Sequence, residues 1–573
     1  MHVNIDLCMI MCVDAEYGYS KNNKMPWNIE SEYEHFQKIL HSYPQGKASI
    51  IIGRKTWESD GISIELRNQF ANILVLSKSK VISYENILYV SSIAEAIDHI
   101  KNHLIQTGNF SLHRVFVLGG GEIYRHCIDH NLVDQLILSR LPKAYQCTAF
   151  LDWLPEQLAK RMQLTHCVQN SEFLVENYQK IKKISFTCES VTEGHPDKVC
   201  DIISDSIVDA YLSQDPWSKV ACEVMAYENM VALCGYSQSD AIIDPESIVR
   251  NVLEHLGFDD EGKGLDYKTC SVSVNIHKTA SPRLRDIRLL PADDQAVVYG
   301  YATNETDDSV MMPLPHHLAT MLTLRLSDLR QKFAQHQLDD LNESEKLLAS
   351  MLRPSGKAQI TAEYEAIDKF SRHVRVTAVV LEAQHNPNID LDELKKLLNK
   401  NVIAKVLPAE ILAPNFQLFI NGDGEYTHGG FRGGGLTGRK QNIDTYGGLC
   451  RMGGGAFSGK DYRKMDRSGA YAARWIAKSL VAAKLCDRCT VSLAYAIGYT
   501  KPLMITIDTE YTAALRGYTD TQLADIVHNN FDLTAGGIIH FLGLQAPIYK
   551  KTAAGGHFGR AGFSWEEPKK LVY

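Results

Sequence analysis

The sequence predicts an α/β domain with a mixed, mostly parallel sheet at the N-terminus, followed by a larger region of strands and helices. The chain has 573 residues, which exceeds the size of one hydrophobic core. Over residues 1–160, short apolar runs alternate with amphipathic helical segments, the pattern of strands joined by crossover helices. From residue 186 onward strands and helices again alternate, without the nucleotide motif of a parallel sheet.

Composition excludes several classes of protein. Hydrophobic residues make up 45% and charged residues 22% of the chain, as in ordinary globular proteins. The net charge of −8 lacks the basic field of nucleic-acid-binding proteins. No run of about 18 apolar residues suggests a membrane span. The first residues have no cationic lead, and the thirteen scattered cysteines favour reduced thiols, so we expect a cytoplasmic protein without nucleic-acid or membrane partners.

The first 160 residues contain the individual elements of the α/β domain. Strands are predicted over residues 6–13, 48–52, 72–76, 114–118 and 135–140, and helices over 30–40, 93–104 and 122–129. The segment VFVLGGGEIY (115–124) is a strand, three glycines and a helix start, an arrangement that presents amides to a pyrophosphate. It does not match GxGxxG, so it is weak evidence when taken alone.

Four motifs together make residues 3–160 similar to dihydrofolate reductase. They are GYSKNNKMPW (18–27), IIGRKTWES (51–59), LVLSKS (74–79) and VLGGGEIY (117–124). The resemblance implies NADPH as cofactor, with cationic side chains that favour a 2′-phosphate over a bare ribose. The implied cofactor-binding residues are Gly53, Arg54, Lys55, Thr56, Ser77, Lys78, Gly119, Gly120, Gly121 and Tyr124.

The resemblance also implies that Glu32 is the carboxylate that holds the pterin. A lone acid in an apolar pocket suits protonation of an imine nitrogen, because burial raises its pKa. The alternative is that Glu32 is simply one of the three surface acids in the segment ESEYE (30–34). The flanking PW and HFQ disfavour this alternative. The arginine that holds a folate glutamate tail in this family is replaced at Phe70 or Ala71, with Arg67 nearest, and DGISIEL (60–66) replaces a proline-bearing segment. A pterin or related ring is therefore expected, and glutamylated folate is left open.

Residues 161–185 are predicted to form one last strand and then the join between domains. We place the first domain at residues 1–165, the join at 166–184 and the second region at 185–573.

The second region is dominated by the segment from Leu436 to Ser468, LTGRKQNIDTYGGLCRMGGGAFSGKDYRKMDRS. Glycines let backbone amides approach a ligand, and clustered lysines and arginines neutralise an anion of several charges. Interleaved aspartates suit Mg²⁺ bound to phosphate oxygens. Residues 454–460 fit GxxxxGK, but Asp461 stands where a P-loop needs Ser or Thr, so an ordinary P-loop is excluded. The alternative is a solvated basic turn.

Ordered blocks make residues 184–567 resemble S-adenosylmethionine synthetase (methionine adenosyltransferase). Beside the central segment they are TCESVTEGHPDKVCDIISDSIVDA (187–210), DDQAVVYGYATNET (293–306), AYAARWIAKSLVAA (470–483), SLAYAIG (492–498) and PIYKKTAAGGHFGR (547–560). The resemblance implies displacement at C5′ of ATP with release and hydrolysis of triphosphate. It also implies three α+β units, Mg²⁺, K⁺, and a homodimer or higher homo-oligomer that buries flat sheet faces.

The resemblance assigns roles to individual residues of this region. Those on the triphosphate are His195, Lys357, Arg439, Lys440, Lys460 and Lys464. Asp197 and Asp466 are the implied Mg²⁺ ligands, Glu223 the K⁺ ligand, and Asp294 helps to hold the nucleotide.

Several family positions are changed. Tyr236 stands where a glutamate holds the methionine amine, Ser355 replaces an aspartate, and the glycine loop offers Gly433 and Gly434 instead of an aspartate. The lid TASPRLRDIR carries arginines at 283, 285 and 288, which favour an anionic partner. We therefore predict a bifunctional enzyme. Its second half forms S-adenosylmethionine or an analogue, uses another nucleophile or nucleotide, or is a nucleotide-binding pseudoenzyme that serves as a dimerisation module.

Overall fold

The computed structural model describes residues 5–59, 69–78, 86–108, 111–170, 172–282, 285–367 and 370–573. The chain divides into two compact units. Residues 1–182 belong to the first, and residues 183–365 with 369–573 to the second. No helix among the described residues is both long and apolar enough to cross a bilayer.

The first unit is built on an eight-stranded sheet of order β5-β4-β3-β6-β1-β7-β10-β9. Its strands and those of a small two-stranded sheet are β1 (Ile5–Val13), β2 (Gly18–Ser20), β3 (Ala48–Gly53), β4 (Asn72–Leu76), β5 (Ile87–Val90), β6 (His113–Val117), β7 (Gln135–Arg140), β8 (Ala149–Phe150), β9 (Met162–Gln169) and β10 (Leu174–Lys180). The helices are α1 (Glu30–His41), α2 (Arg54–Ser59), α3 (Ile93–Gln106), α4 (Gly121–Asp129) and α5 (Leu154–Arg161). The first six strands of that order run parallel, and β10 and β9 are antiparallel additions.

The parallel strands are apolar on both faces because helices cover both faces of the sheet. Along β1, Leu7, Met9 and Met11 join one buried cluster, whereas Cys8 and Ile10 join another. A strand buried on both sides appears in the sequence as a continuous apolar run, as predicted for such sheets. The predicted fold class of this unit is confirmed.

Residues 161–185 differ from the prediction of one last strand. They hold β9, β10 and the start of β11 (Lys182–Val191). Tyr178 and its neighbours in β10 pair with β7, so this hairpin extends the first sheet. β9 is exposed along almost its whole length and β10 is mostly half-buried, and this weak apolar pattern hid the hairpin. The division between units lies between Lys182 and Lys183, near the end of the segment 166–184 that we assigned to the join.

The second unit contains three larger sheets of order β11-β18-β19-β20, β16-β13-β12-β21 and β17-β22-β23, and the pair β14-β15. Beyond β11 the strands are β12 (Lys219–Tyr227), β13 (Met230–Gln238), β14 (Asp259–Asp260), β15 (Leu265–Asp266), β16 (Ser271–Thr279), β17 (Ala296–Thr303), β18 (Leu352–Ile367), β19 (Phe370–His385), β20 (Leu412–Ile420), β21 (Gly435–Leu436), β22 (Arg488–Tyr495) and β23 (Met504–Asp508).

Helices cover these sheets and complete three α+β units. They are α6 (Pro196–Gln214), α7 (Pro245–His255), α8 (Leu314–Ala334), α9 (Glu343–Met351), α10 (Leu391–Leu398), α11 (Ala404–Val406), α12 (Gln441–Asp444), α13 (Met465–Ala482), α14 (Asp520–Asn530) and α15 (Ala535–Phe541). Helix α6 packs on β12, and α13 packs on β17 and β22. The N-termini of these two buried helices carry His195, Asp197 and Asp466.

Two candidate active sites

In the first unit, the glycine segments and the basic residues lie at one edge of the parallel sheet. Gly53 ends β3, Ser77 follows β4, and Gly119 to Gly121 follow β6. Because these strands are parallel, their carboxyl ends meet at the same edge, the usual ligand-binding edge of such sheets. The Gly53 amide donates to the Gly119 carbonyl at 2.7 Å, which joins two of these loops.

Cationic side chains at this edge are accessible. Arg54, Lys55 and Lys78 are all exposed. Arg54 Nε lies 2.7 Å from Glu58 Oε1 in an exposed pair one helical turn apart, an interaction of little net energy. The edge can therefore offer positive charge to phosphate groups.

Close packing around the glycine turn explains why glycines occupy it. A Cβ at Gly121 would lie 2.4 Å from Tyr19 Oη. Tyr124 is buried, and its hydroxyl donates to the Ile10 carbonyl at 2.7 Å. Tyr124 therefore supports the turn from inside, and its contact with a cofactor stays a prediction. Thr56 is half-buried, and a Cβ at Gly120 would lie 3.5 Å from its Oγ1.

Glu32 is the only buried acid of the segment ESEYE. Its side chain is 8% exposed, whereas Glu30 and Glu34 are exposed. Burial raises the pKa of Glu32, and hydrogen bonds from Ser139 and Cys12 act in the opposite direction. The structure therefore disfavours the surface-acid alternative and shows a carboxyl group that retains its proton to higher pH than an ordinary glutamate.

Sequence reasoning missed Cys12 and Ser139 as neighbours of Glu32. Their contact depends on the pairing of β1 with β7, which no local pattern reveals. At the position of the expected arginine, Phe70 is buried and packs edge-on against Phe116 with ring centroids 6.3 Å apart. Arg67 and the segment 60–66 lie outside the described residues.

In the second unit, the start of α6 presents His195 and Asp197. His195 is the N-cap, and its Nδ1 accepts from the Asp197 amide at 3.2 Å. Burial, followed by the charge of Lys440, lowers the pKa of His195 to about 3, so its ring is neutral near pH 7. Its other ring nitrogen can then donate a hydrogen bond.

Asp197 is surrounded by donors from the glycine-rich segment. Its carboxylate lies 2.7 Å from Lys440 Nζ and 3.5 Å from Arg439 Nε, and it accepts from the Leu436 amide at 3.0 Å. Burial alone would raise the pKa of Asp197, but the hydrogen bonds from Lys440 and Leu436 outweigh it and lower the pKa. Asp197 is therefore a fully ionised, lysine-paired carboxylate.

The start of α13 repeats this pairing of lysine with aspartate. Lys460 Nζ lies 2.6 Å from Asp466 Oδ2, and Lys464 Nζ lies 2.5 Å from Asp461 Oδ2 and 3.5 Å from Asp293 Oδ2. Burial would lower the pKa of Lys464, but the charge of Asp461 outweighs it and raises the pKa. Lys464 therefore stays charged although it is largely buried.

The glycine turn before α13 fits tightly against both helices. The Gly459 amide donates to Asp205 Oδ1 at 2.8 Å, and Arg467 binds the two oxygens of the same carboxylate at 2.7 and 2.8 Å. A Cβ at Gly455 would lie 2.1 Å from the Asp466 carboxyl carbon. Gly459 has φ +82°, a conformation that only glycine adopts without strain. The turn is therefore held in one position by contacts that exclude other residues.

The remaining predicted residues are more exposed. Lys357, on β18, lies near enough to His195 to help lower its pKa. The exposed Asp294 accepts from the Gln295 amide at 2.7 Å. On β12, partial burial raises the pKa of Glu223, opposed by the charge of Lys460.

A divalent metal would need the substrate as a ligand here. Within the described ranges, no cluster of three or more His, Cys, Asp or Glu side chains has metal-binding geometry. Mg²⁺ commonly binds one or two carboxylates together with phosphate oxygens and water, so Asp197 and Asp466 fit such a shared site.

The structure also describes three positions at which the sequence departs from the synthetase pattern. Tyr236, on β13, is 36% exposed, and its ring centroid lies 5.2 Å from Lys464 Nζ. Ser355 is buried, with its Oγ 2.7 Å from Tyr426 Oη. A Cβ at Gly433 would meet open space.

The two lid arginines that the structure describes each form an ion pair with an acid. Arg285 pairs with Asp240 at 3.2 Å, and Arg288 pairs with Asp286 at 2.9 Å. Both pairs are exposed to solvent, where an ion pair contributes little net energy, so the anionic partner at the lid stays a prediction. Residue 283 lies outside the described residues.

Comparison with known families covers both units. Residues 6–179 match the family described as dihydrofolate reductase. Residues 183–281, 289–426 and 428–567 match the N-terminal, central and C-terminal domains of S-adenosylmethionine synthetase, in that order.

Proposed function

Because the chain joins a member of the dihydrofolate reductase family (residues 6–179) to a member of the S-adenosylmethionine synthetase family (residues 183–567), we propose that it is a bifunctional enzyme. The first half reduces dihydrofolate or a related pterin with NADPH. The second half transfers adenosyl from ATP with release of triphosphate and forms S-adenosylmethionine or an analogue.

The buried carboxyl group of Glu32 carries the first part of this proposal. NADPH supplies the hydride when bound, and the ring nitrogen that gains a proton needs a nearby acid. Glu32 can hold that proton because burial raises its pKa. The exposed cations Arg54, Lys55 and Lys78 can bind the cofactor phosphates, including a 2′-phosphate.

The paired lysines and aspartates carry the second part. A triphosphate leaving group gains charge in the transition state, and positive groups already in place stabilise it without reorganisation. Lys440 forms an ion pair with Asp197, and Lys460 forms one with Asp466. Both aspartates are suited to binding Mg²⁺. We propose that the lysines move from these carboxylates to the phosphate oxygens when a magnesium nucleotide binds. Neutral His195 then donates a hydrogen bond to the same leaving group.

Magnesium would be held by Asp197 and Asp466 with the phosphates, and potassium by Glu223. The metals would supply further positive charge to the leaving group. Glu223 lies on the same strand face as Met225 and Tyr227.

A homodimer through the synthetase half is supported by an exposed apolar sheet face. Met225 and Tyr227 on β12 are 40% and 46% exposed, and Leu436 on the neighbouring strand β21, the register partner of Met225, is 41% exposed. Apolar side chains on a sheet face are unusual at a solvent boundary and mark an interface. We place this enzyme in the cytoplasm, where reduced thiols, NADPH and ATP occur together.

Tyr236 bears on which nucleophile the second half uses. Lys464 is the neighbour of this ring, so the site offers a cation and an aromatic face where an ammonium group would prefer a carboxylate. A second candidate function is therefore adenosyl transfer to a nucleophile without an ammonium group, or from another nucleotide. A third is a nucleotide-binding pseudoenzyme that serves as a dimerisation module.

Mass spectrometry of products separates these functions. Purified protein is incubated with ATP, Mg²⁺, K⁺ and methionine, and S-adenosylmethionine, phosphate and diphosphate are quantified. S-adenosylmethionine supports the proposal. Phosphate release only after a cell extract is added indicates another nucleophile. ATP binding with no cleavage in either case indicates the pseudoenzyme. Oxidation of NADPH with dihydrofolate or dihydropterin tests the first half.

A further inference from the structure

The side chains of Cys12 and Ser139 lie next to each other across two parallel strands. Cys12 on β1 is the register partner of Ser139 on β7. Register partners in a parallel pair point to the same face of the sheet. Both side chains lie close enough to Glu32, in the first turn of α1, to lower the pKa of its carboxyl group as hydrogen-bond donors. Cys12 also packs against the buried cluster that contains Trp27.

We propose that the Cys12 thiol is a positioning residue of the reductase site, which donates an S–H hydrogen bond to the Glu32 carboxylate alongside the Ser139 hydroxyl. This inference rests on the proposed role of Glu32 as the acid of that site. The two donors hold the carboxyl group in one orientation and stabilise its ionised form against the cost of burial.

The thiol is suited to this role because it remains protonated. Burial, and then the charge of Glu32, raises the pKa of Cys12 far above its usual range. The group is therefore a hydrogen-bond donor throughout the physiological range, not a nucleophile. The other titratable groups that act on this pair, among the residues described, are Asp14 after β1 and Tyr124 on α4.

The pH dependence of reduction distinguishes positioning from packing. Removing a donor to the carboxylate raises the pKa of Glu32. In Cys12→Ala the titration of kcat/KM should therefore move to higher pH by about 0.5–1 unit. Cys12→Ser keeps a donor and should restore at least half of the shift. Ser139→Ala is the matched variant and should shift the profile in the same direction. A Cys12→Ala profile that overlays the wild type, with only KM or thermal stability changed, would show that Cys12 merely fills space.

A second experiment does not require reductase activity. Alkylation of Cys12 by iodoacetamide at pH 9 is followed by peptide mass spectrometry in the wild type and in Glu32→Gln. Loss of the carboxylate should lower the pKa of the thiol and speed its alkylation several-fold. Cys127 is the internal control, because burial alone raises its pKa to about 12, and its rate should not change. Equal Cys12 rates in both proteins would overturn the contact. A wild type without reductase activity but with the alkylation difference would refute the proposed function and retain the Cys12–Glu32 contact.

Discussion

Lys440 Nζ lies 2.7 Å from Asp197 Oδ2, so a cation suited to a triphosphate and a carboxylate suited to Mg²⁺ neutralise each other. The pair sits where the glycine-rich segment meets the N-terminus of α6. Asp197 is buried and Lys440 is partly buried, and the pairing orients both charges before any nucleotide arrives. The same arrangement recurs for Lys460 and Asp466.

Replacing Lys440 by methionine should impair triphosphate release more than nucleotide binding. The lost cation acts mainly on charge that develops in the transition state, so we expect a fall in kcat of about 100- to 1,000-fold. Phosphate release from ATP measures it. Lys346→Met, which removes a lysine from the surface pair with Glu343, is the control and should retain activity. Comparable losses in both variants would contradict the assignment.

Replacing Arg467 by methionine should destabilise the second unit. Arg467 and Asp205 are both fully buried, and the change leaves the Asp205 carboxyl group buried without its partner. Breaking such a pair costs about 3–5 kcal/mol. Hydrogen exchange of peptides from α6 and α13 reports this unit separately from the other. Lys346→Met should change the exchange by less than about 0.5 kcal/mol. Unchanged protection in Arg467→Met would show that the pair contributes no net stability.

Replacing Glu32 by glutamine should reduce activity and increase stability at neutral pH. Activity should fall by about 100- to 10,000-fold, because glutamine cannot donate the proton. The folded-state pKa of Glu32 lies above its ordinary value of 4.5. As pH rises from 4.5 through the raised pKa, ionisation of Glu32 lowers the free energy of unfolding. Glutamine does not ionise, so the variant avoids this loss of stability. NADPH oxidation and urea denaturation at pH 5 and 8 test both parts. Equal stabilities of variant and wild type at pH 8 would contradict the second.

His113 should make the first unit sensitive to acid. Burial lowers the pKa of His113 from 6.5 to about 4, and its Nε2 hydrogen-bonds Ser49 Oγ at 2.9 Å. The unfolded chain binds the proton more readily, so stability is full above pH 6.5 and is lost as pH falls towards 4. Hydrogen exchange of peptides from β6 across this range measures the loss. In His113→Asn the slope between these pH values should flatten, and an unchanged slope would assign the sensitivity elsewhere.

The helices and strands of the first unit were largely predictable from periodicity. The predicted strand over residues 135–140 coincides with β7, and the predicted helix over 30–40 ends one residue before α1 does. The hairpin of β9 and β10 was not predicted, because β9 is exposed along almost its whole length and the hairpin carries little apolar signal. Hydrophobic periodicity reveals a strand only where many of its side chains are buried.

By itself the sequence determined the two families and most elements of the first unit, because motifs of adjacent residues and apolar periodicity record local chemistry. Only the tertiary structure decided which charges neutralise one another and which donors meet Glu32. Lys440 reaches Asp197 across 243 positions of the chain, and Cys12 reaches Ser139 through strand register. Such contacts depend on how distant segments pack, and no spacing along the chain encodes them.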